Sequence, residues 1–139
     1  FYHCNIKTLN LIPNVMAAQQ ASEAGCNETV FVRDGYVTEC SHSNISMVKD
    51  GVFITHPLDN LILPGTERKH IIRWCGELGI PVKERAFTLE ELYTADEILV
   101  TSTSHPSMRA MELNQKAVGM KNPELIQKLR DKYLNEIGK

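Results

Sequence analysis

The chain has no apolar run approaching the ~20 residues that a membrane-spanning helix requires, and no pattern of basic start, apolar stretch and small-residue cleavage site that would mark a leader. It has no excess of one charge. Fifteen Lys and Arg against 17 Asp and Glu leave a net charge of −2, so neither nucleic acid nor an anionic membrane surface is favoured as a general partner. Its four cysteines form no cluster. Cys4, Cys26, Cys40 and Cys75 are too scattered for a disulfide framework or a zinc knuckle, and reduced thiols in a cytoplasmic protein are the expectation. His3 and Cys4 are neighbours, a spacing that rarely serves one metal, so no metal site is expected. There is no internal repeat or low-complexity linker. The chain also begins with Phe1 rather than Met, which we read as a fragment or a processed piece.

What remains suits one globular domain: 139 residues, 42% of them apolar and 23% charged, enough for a sizeable core. Pro13 to Gly25 reads as a helix, with Pro in its first turn and Gly to end it. Thr29-Val30-Phe31-Val32 and Tyr36 to Glu39 read as strands about an Asp34-Gly35 turn. Asn44 to Val48 and Val52 to Thr55 repeat the pattern about Asp50-Gly51, predicting an antiparallel meander. After Pro64-Gly65, with Thr66 as N-cap, Ile71, Ile72, Cys75 and Leu78 share a helical face that Gly79 and Pro81 terminate. Ile80 to Val82 starts a short strand, and Thr88 to Glu91 has capping-box form. Glu97 to Val100 reads as a buried strand. Ala110 to Leu113 and Lys116 to Val118 form a pair about Asn114-Gln115, and Pro123 to Ile137 forms the last helix. The order predicts an α/β (α+β) domain with a mixed, mainly antiparallel sheet or barrel and flanking helices.

Certain residues match the needs of pyridoxal 5'-phosphate. That cofactor needs an amine for a Schiff base, which Lys7 could supply. It needs an acid at the pyridine nitrogen, and Glu39 closes a strand where a carboxylate is unexpected unless solvated or paired. It needs donors for a dianionic phosphate: the amides of Thr66 and Glu67 at a helix start, with the hydroxyls of Ser102 and Thr103. Taken singly, each of these residues is ordinary.

Their order and separation are not. Ile-Lys-Thr-Leu-Asn, Asp-Gly-Tyr-Val-Thr-Glu with a following Ser and Asn, Thr-His-Pro-Leu-Asp-Asn-Leu-Ile-Leu-Pro-Gly-Thr and Gly-Ile-Pro-Val-Lys-Glu resemble the class IV (fold type IV) pyridoxal-phosphate aminotransferases, most of all the D-amino acid branch of that family. The similarity runs from about Cys4 to about Lys132. It implies the larger, C-terminal domain of that fold, and transamination between a D-amino acid and a 2-oxo acid. Lys7 matches the lysine that bonds the cofactor and moves a proton between the substrate α-carbon and the cofactor C4′. Glu39 matches the acid at the ring nitrogen, and Ser43 a phosphate-contacting serine. Leu63 matches the leucine on the ring face. Thr66 and Glu67 match the phosphate-binding helix start, and Ser102 and Thr103 the last phosphate group.

The resemblance further implies that residues 1–8 are the end of an interdomain linker and the start of the lysine strand. Residues 9–139 are then the large cofactor-binding domain, without the smaller N-terminal domain. A chain lacking that domain should leave an apolar face uncovered and associate as a homodimer, and alone it is expected to be inactive. A branched-chain aminotransferase or an aminodeoxychorismate lyase of the same family is the alternative, as is an inactive piece that does not hold cofactor. Three departures bear on the site. Glu67 stands where Thr or Ser is usual. Cys40 and His42 replace Gly and Ser. His105 to Arg109 departs from the family pattern near the substrate, leaving the preferred substrate open.

Overall fold

The computed structural model describes residues 12–102 and 108–137. Lys7, Cys4 and Thr103, together with residues 105–107 of the divergent segment, lie outside the described residues.

The expected meander forms. After helix α1 (Ile12–Glu23), strands β1 (Val30–Arg33), β2 (Tyr36–Cys40), β3 (Asn44–Lys49) and β4 (Val52–Thr55) pair antiparallel in succession. The first and third of these hairpins turn on Asp34 and Gly35, at φ 51° and 83°, and on Asp50 and Gly51, at φ 51° and 75°. Two consecutive positive φ angles are the type I′ arrangement, whose twist matches that of the strands. The chain then crosses over through α2 (Thr66–Leu78) to β5 (Val82–Glu84), which lies parallel to β4. Gly79 at φ 73° ends α2, and the Ile80 amide donates back to the Cys75 carbonyl at 2.8 Å. β6 (Phe87–Thr88) returns to β2. Next comes α3 (Leu89–Tyr93), opened by the Thr88–Glu91 capping box.

β7 (Glu97–Thr101) then lies antiparallel against β3. A short β8 (Met108–Arg109), not anticipated from the sequence, pairs with β7. β9 (Glu112–Leu113) and β10 (Lys116–Ala117) form a separate ribbon, and α4 (Pro123–Glu136) follows. The described strands thus make one branched, mainly antiparallel sheet and one ribbon.

The sheet is covered on both faces, so β7 and all of β3 up to Val48 are buried rather than alternating. Ile45, Met47, Ile98 and Val100 face one core with Phe87 and Leu92. Val48 and Leu99 face the other, with Trp74, Cys75, Leu125 and Leu129 from α2 and α4. β3 is the organising strand. β7 runs along one edge of it; β4 pairs from Ser46 onward on the other, and β2 meets it at Asn44. Glu39, Asn44 and Thr101 therefore form a row across three strands, each about 5 Å from the next.

Candidate active site

The row begins with Glu39, and local chemistry explains why a carboxylate is there. Between Val30↔Cys40 and Val32↔Val37 the β1–β2 register shifts by one residue, so Thr38 and Glu39 together oppose Phe31. Such a bulge re-aims side chains. Here it buries both Thr38 and Glu39, which regular alternation would send to opposite faces. Glu39 is 6% exposed, and its Oε2 accepts from the Leu63 amide at 3.0 Å. The Leu63 carbonyl accepts from Asn44 Nδ2 at 2.9 Å. Leu63 is therefore held at its amide by the acid and at its carbonyl by the acid's neighbour in the row.

Two residues later, the Asn44 side-chain amide occupies the place where a Cβ on Gly65 would go. A side chain there would displace the clamp, so position 65 requires glycine for space. Gly65 is also the N-cap of α2, with no side-chain cap. Thr66, expected as the cap, is instead the first helical residue. The opening amides of α2 thus retain their donor capacity and the positive end of the helix dipole. Glu67 sits in that first turn, where the dipole favours an acid, and its Oε2 is buried with no hydrogen-bond partner among the described residues.

The loop that carries Leu63 is fixed from behind. Arg68, 4% exposed, donates through Nη2 to the His56 carbonyl at 2.9 Å and to Glu84 at 2.7 Å. His56 Nε2 meets Asp59 at 2.9 Å, and Asp59 accepts from the Leu61 amide at 2.8 Å.

Glu39, Leu63 and the Thr66–Glu67 helix start are thus brought together, and Ser102 follows Thr101 directly at the far end of the row. Ser43 lies across the tight turn after Glu39. Its carbonyl accepts from the Cys40 amide at 2.8 Å, and its hydroxyl donates to Glu28 at 3.0 Å. His42 is exposed in that turn. Cys40 is buried, and its thiol is pushed well above its ordinary range, first by burial and then by the nearby charges of Glu28 and Glu39. Arg109, from the divergent segment, forks onto the buried Glu97 through Nε at 2.9 Å and Nη2 at 2.7 Å. Sequence reasoning missed the roles of Asn44, Gly65 and Glu28. The Asn directly after the turn serines and the Gly before the helix were the signals available for the first two.

A buried acceptor, an apolar side chain beside it and an uncapped helix start suit a flat ligand with a protonated nitrogen at one end and an anion at the other. The sequence matches the amino-transferase class IV family over residues 1–113. The chain belongs to that family.

Among its relatives is the D-alanine aminotransferase of Listeria monocytogenes serotype 4b (strain F2365), 43% identical over 96% of this chain and 47% of its own. The D-alanine aminotransferase of Bacillus licheniformis is 38% identical over 98% and 50%. The chain thus spans about half the length of these curated relatives. Among solved structures, the branched-chain amino acid aminotransferase of Thermobaculum terrenum in its PLP form superposes with a TM-score of 0.87. It is 27% identical and covers 94% of this chain and 44% of that one.

Class IV membership implies pyridoxal phosphate, and the residues fit it. Glu39 offers an acceptor shielded from water, and the start of α2 offers amides to a phosphate. Glu67 opposes the fit, by setting an acidic side chain in the same first turn as those amides.

Proposed function

We propose that this chain holds pyridoxal phosphate and serves transamination between a D-amino acid and a 2-oxo acid. The observation that carries the proposal is the Glu39 carboxylate, buried at a bulge and tied through the Leu63 amide to the segment that opens α2. When bound, the cofactor supplies an electron-withdrawing ring. Glu39 would accept a hydrogen bond from the ring nitrogen and favour its protonated form. Leu63 would lie against the ring and keep water from it. The Thr66 and Glu67 amides, with Ser102 and Thr103, would donate to the phosphate, and Ser43 would brace the turn after Glu39. Lys7 would supply the amine that takes up and returns the substrate proton. The D-amino acid preference follows the relatives, named as D-alanine aminotransferases at 38% and 43% identity.

Exposed apolar side chains on α1, Val15 and Met16, support association of two copies, and a cytoplasmic setting accords with free Cys26, Cys40 and Cys75. A second reading, branched-chain transamination, is favoured by the close superposition on the Thermobaculum terrenum enzyme.

Titration with pyridoxal phosphate, followed by single-turnover amino transfer from D-alanine or L-leucine, separates the readings. D-alanine is expected to react and L-leucine to lag. The reverse order favours the second reading, and absence of cofactor binding rejects both.

A further inference from the structure

The turn that follows Glu39 is gripped by a residue that comes before β1 in the chain. Glu28 lies between α1 and β1. Its Oε1 accepts from the Ser41 hydroxyl and its Oε2 from the Ser43 hydroxyl, the latter at 3.0 Å. Oε1 also accepts from the Thr29 amide at 3.0 Å. The Thr29 carbonyl accepts from the Ser41 amide at 3.1 Å, and the Ser41 carbonyl accepts from Asn14 Nδ2 at 2.7 Å. Ser41 is thus held by hydroxyl, amide and carbonyl at once. A serine hydroxyl has a single proton, and in this arrangement both serines direct theirs to Glu28.

The location gives this latch its consequence. It sits beside the β1–β2 bulge that turns Glu39 inward. A bulge can migrate by one residue, and a one-residue slip sends every side chain of the slipped segment to the opposite face. We propose that Glu28 is a positioning residue: it locks the Cys40–Ser43 turn and thereby the register that aims Glu39 at Leu63 and at the cofactor ring. The part concerning the cofactor rests on the function proposed above. The part concerning Glu39 and Leu63 does not.

Hydrogen exchange on the cofactor-free 139-residue chain tests the second part. Glu28→Ala is expected to speed exchange at the Leu63 amide at least about tenfold more than at Met47 and Leu99, whose amides report global opening. Glu28→Gln, which keeps the shape and one acceptor, should fall between. The remote variant Glu136→Gln should leave Leu63 unchanged relative to those core amides. If Glu28→Ala does not fold, the double variant Ser41→Ala/Ser43→Ala removes the same two bonds and is read in the same way.

Unchanged exchange at Leu63, or equal acceleration at all three amides, overturns the proposal. Titration with pyridoxal phosphate then tests the first part, with Glu28→Ala expected to bind about tenfold more weakly than the unsubstituted chain and Glu28→Gln to recover part of that loss. Equal affinities overturn the cofactor role. Failure of the unsubstituted chain to bind rejects the proposed function instead, leaving the exchange result to decide the positioning role.

Discussion

Two buried glutamates stand on β2 and β7, strands that flank β3, and the contacts that hold them differ. Glu97, at the start of β7, is fully buried. Both its oxygens bond the Arg109 guanidinium, and Oε2 also accepts from the Asn122 amide at 2.8 Å. Burial pushes its pKa up, but the Arg109 hydrogen bonds and charge and the amides of Asn122 and Met120 outweigh that, and the net shift is down. Glu39, near the end of β2, is positioned by a neutral amide on a loop that leads to a helix start. One acid ties β7 to β8 and to the approach of α4. The other is tied to the segment that opens α2. The residue type and the strand-end position do not distinguish them; the partners do.

The largest expected effect breaks the first of the pair. Arg109→Ala leaves Glu97 buried beside unmatched charge and should cost roughly 3–5 kcal/mol in denaturant unfolding. It should also change the acid response. A carboxylate with a lowered folded pKa stabilises the fold above its unfolded pKa, and that contribution is lost as pH falls through the folded value. Removing Arg109 raises the folded pKa of Glu97, so acid unfolding should begin at higher pH in the variant. A pH titration of stability reads this directly.

Gly65→Ala should cost less, about 1–3 kcal/mol, because the new Cβ must push the Asn44 side chain off the Leu63 carbonyl. Its signature is a selective loss of protection at Leu63. Glu39→Gln sharpens the comparison. The amide oxygen can still accept from Leu63, so stability should change by no more than about 1 kcal/mol, whereas affinity for pyridoxal phosphate should fall at least about tenfold. A stability loss matching that of Arg109→Ala would make the two acids equivalent and remove the distinction.

The smallest effect lies at the surface. Glu136 is held down to about 2 by hydrogen bonds from Arg73 and then Trp74. Its small contribution is present above the ordinary carboxylate range and fades as pH falls toward 2. Glu136→Gln should therefore lower thermal stability slightly at neutral pH and not at all at the acid end.

Much of the fold was legible because its signals are local. Asp34-Gly35 and Asp50-Gly51 announce turns through the positive φ they tolerate, Thr88 and Glu91 satisfy each other across one helical turn, and Gly79 with Pro81 stops α2. The parallel placement of β5 and the packing of β7 against β3 were not legible, since they join segments about 30 and 50 residues apart. Within the site, Glu39, Leu63 and the start of α2 were recognised through family resemblance rather than periodicity. Asn44 and Glu28 escaped notice because Asn after a turn and Glu before a strand are common, and their partners lie 13 to 19 residues away. The bulge at Thr38 and Glu39 depends on pairing with β1, which no local pattern encodes.

The doubly held Leu63 has one more consequence. Its N–H and its C=O belong to successive peptide units on either side of one Cα, so a displacement of Glu39 shifts the Leu63 backbone and with it the carbonyl that Asn44 holds. Asn44 in turn fills the space beside Gly65, where α2 begins. A movement of the acid is therefore passed mechanically, residue by residue, to the opening of α2.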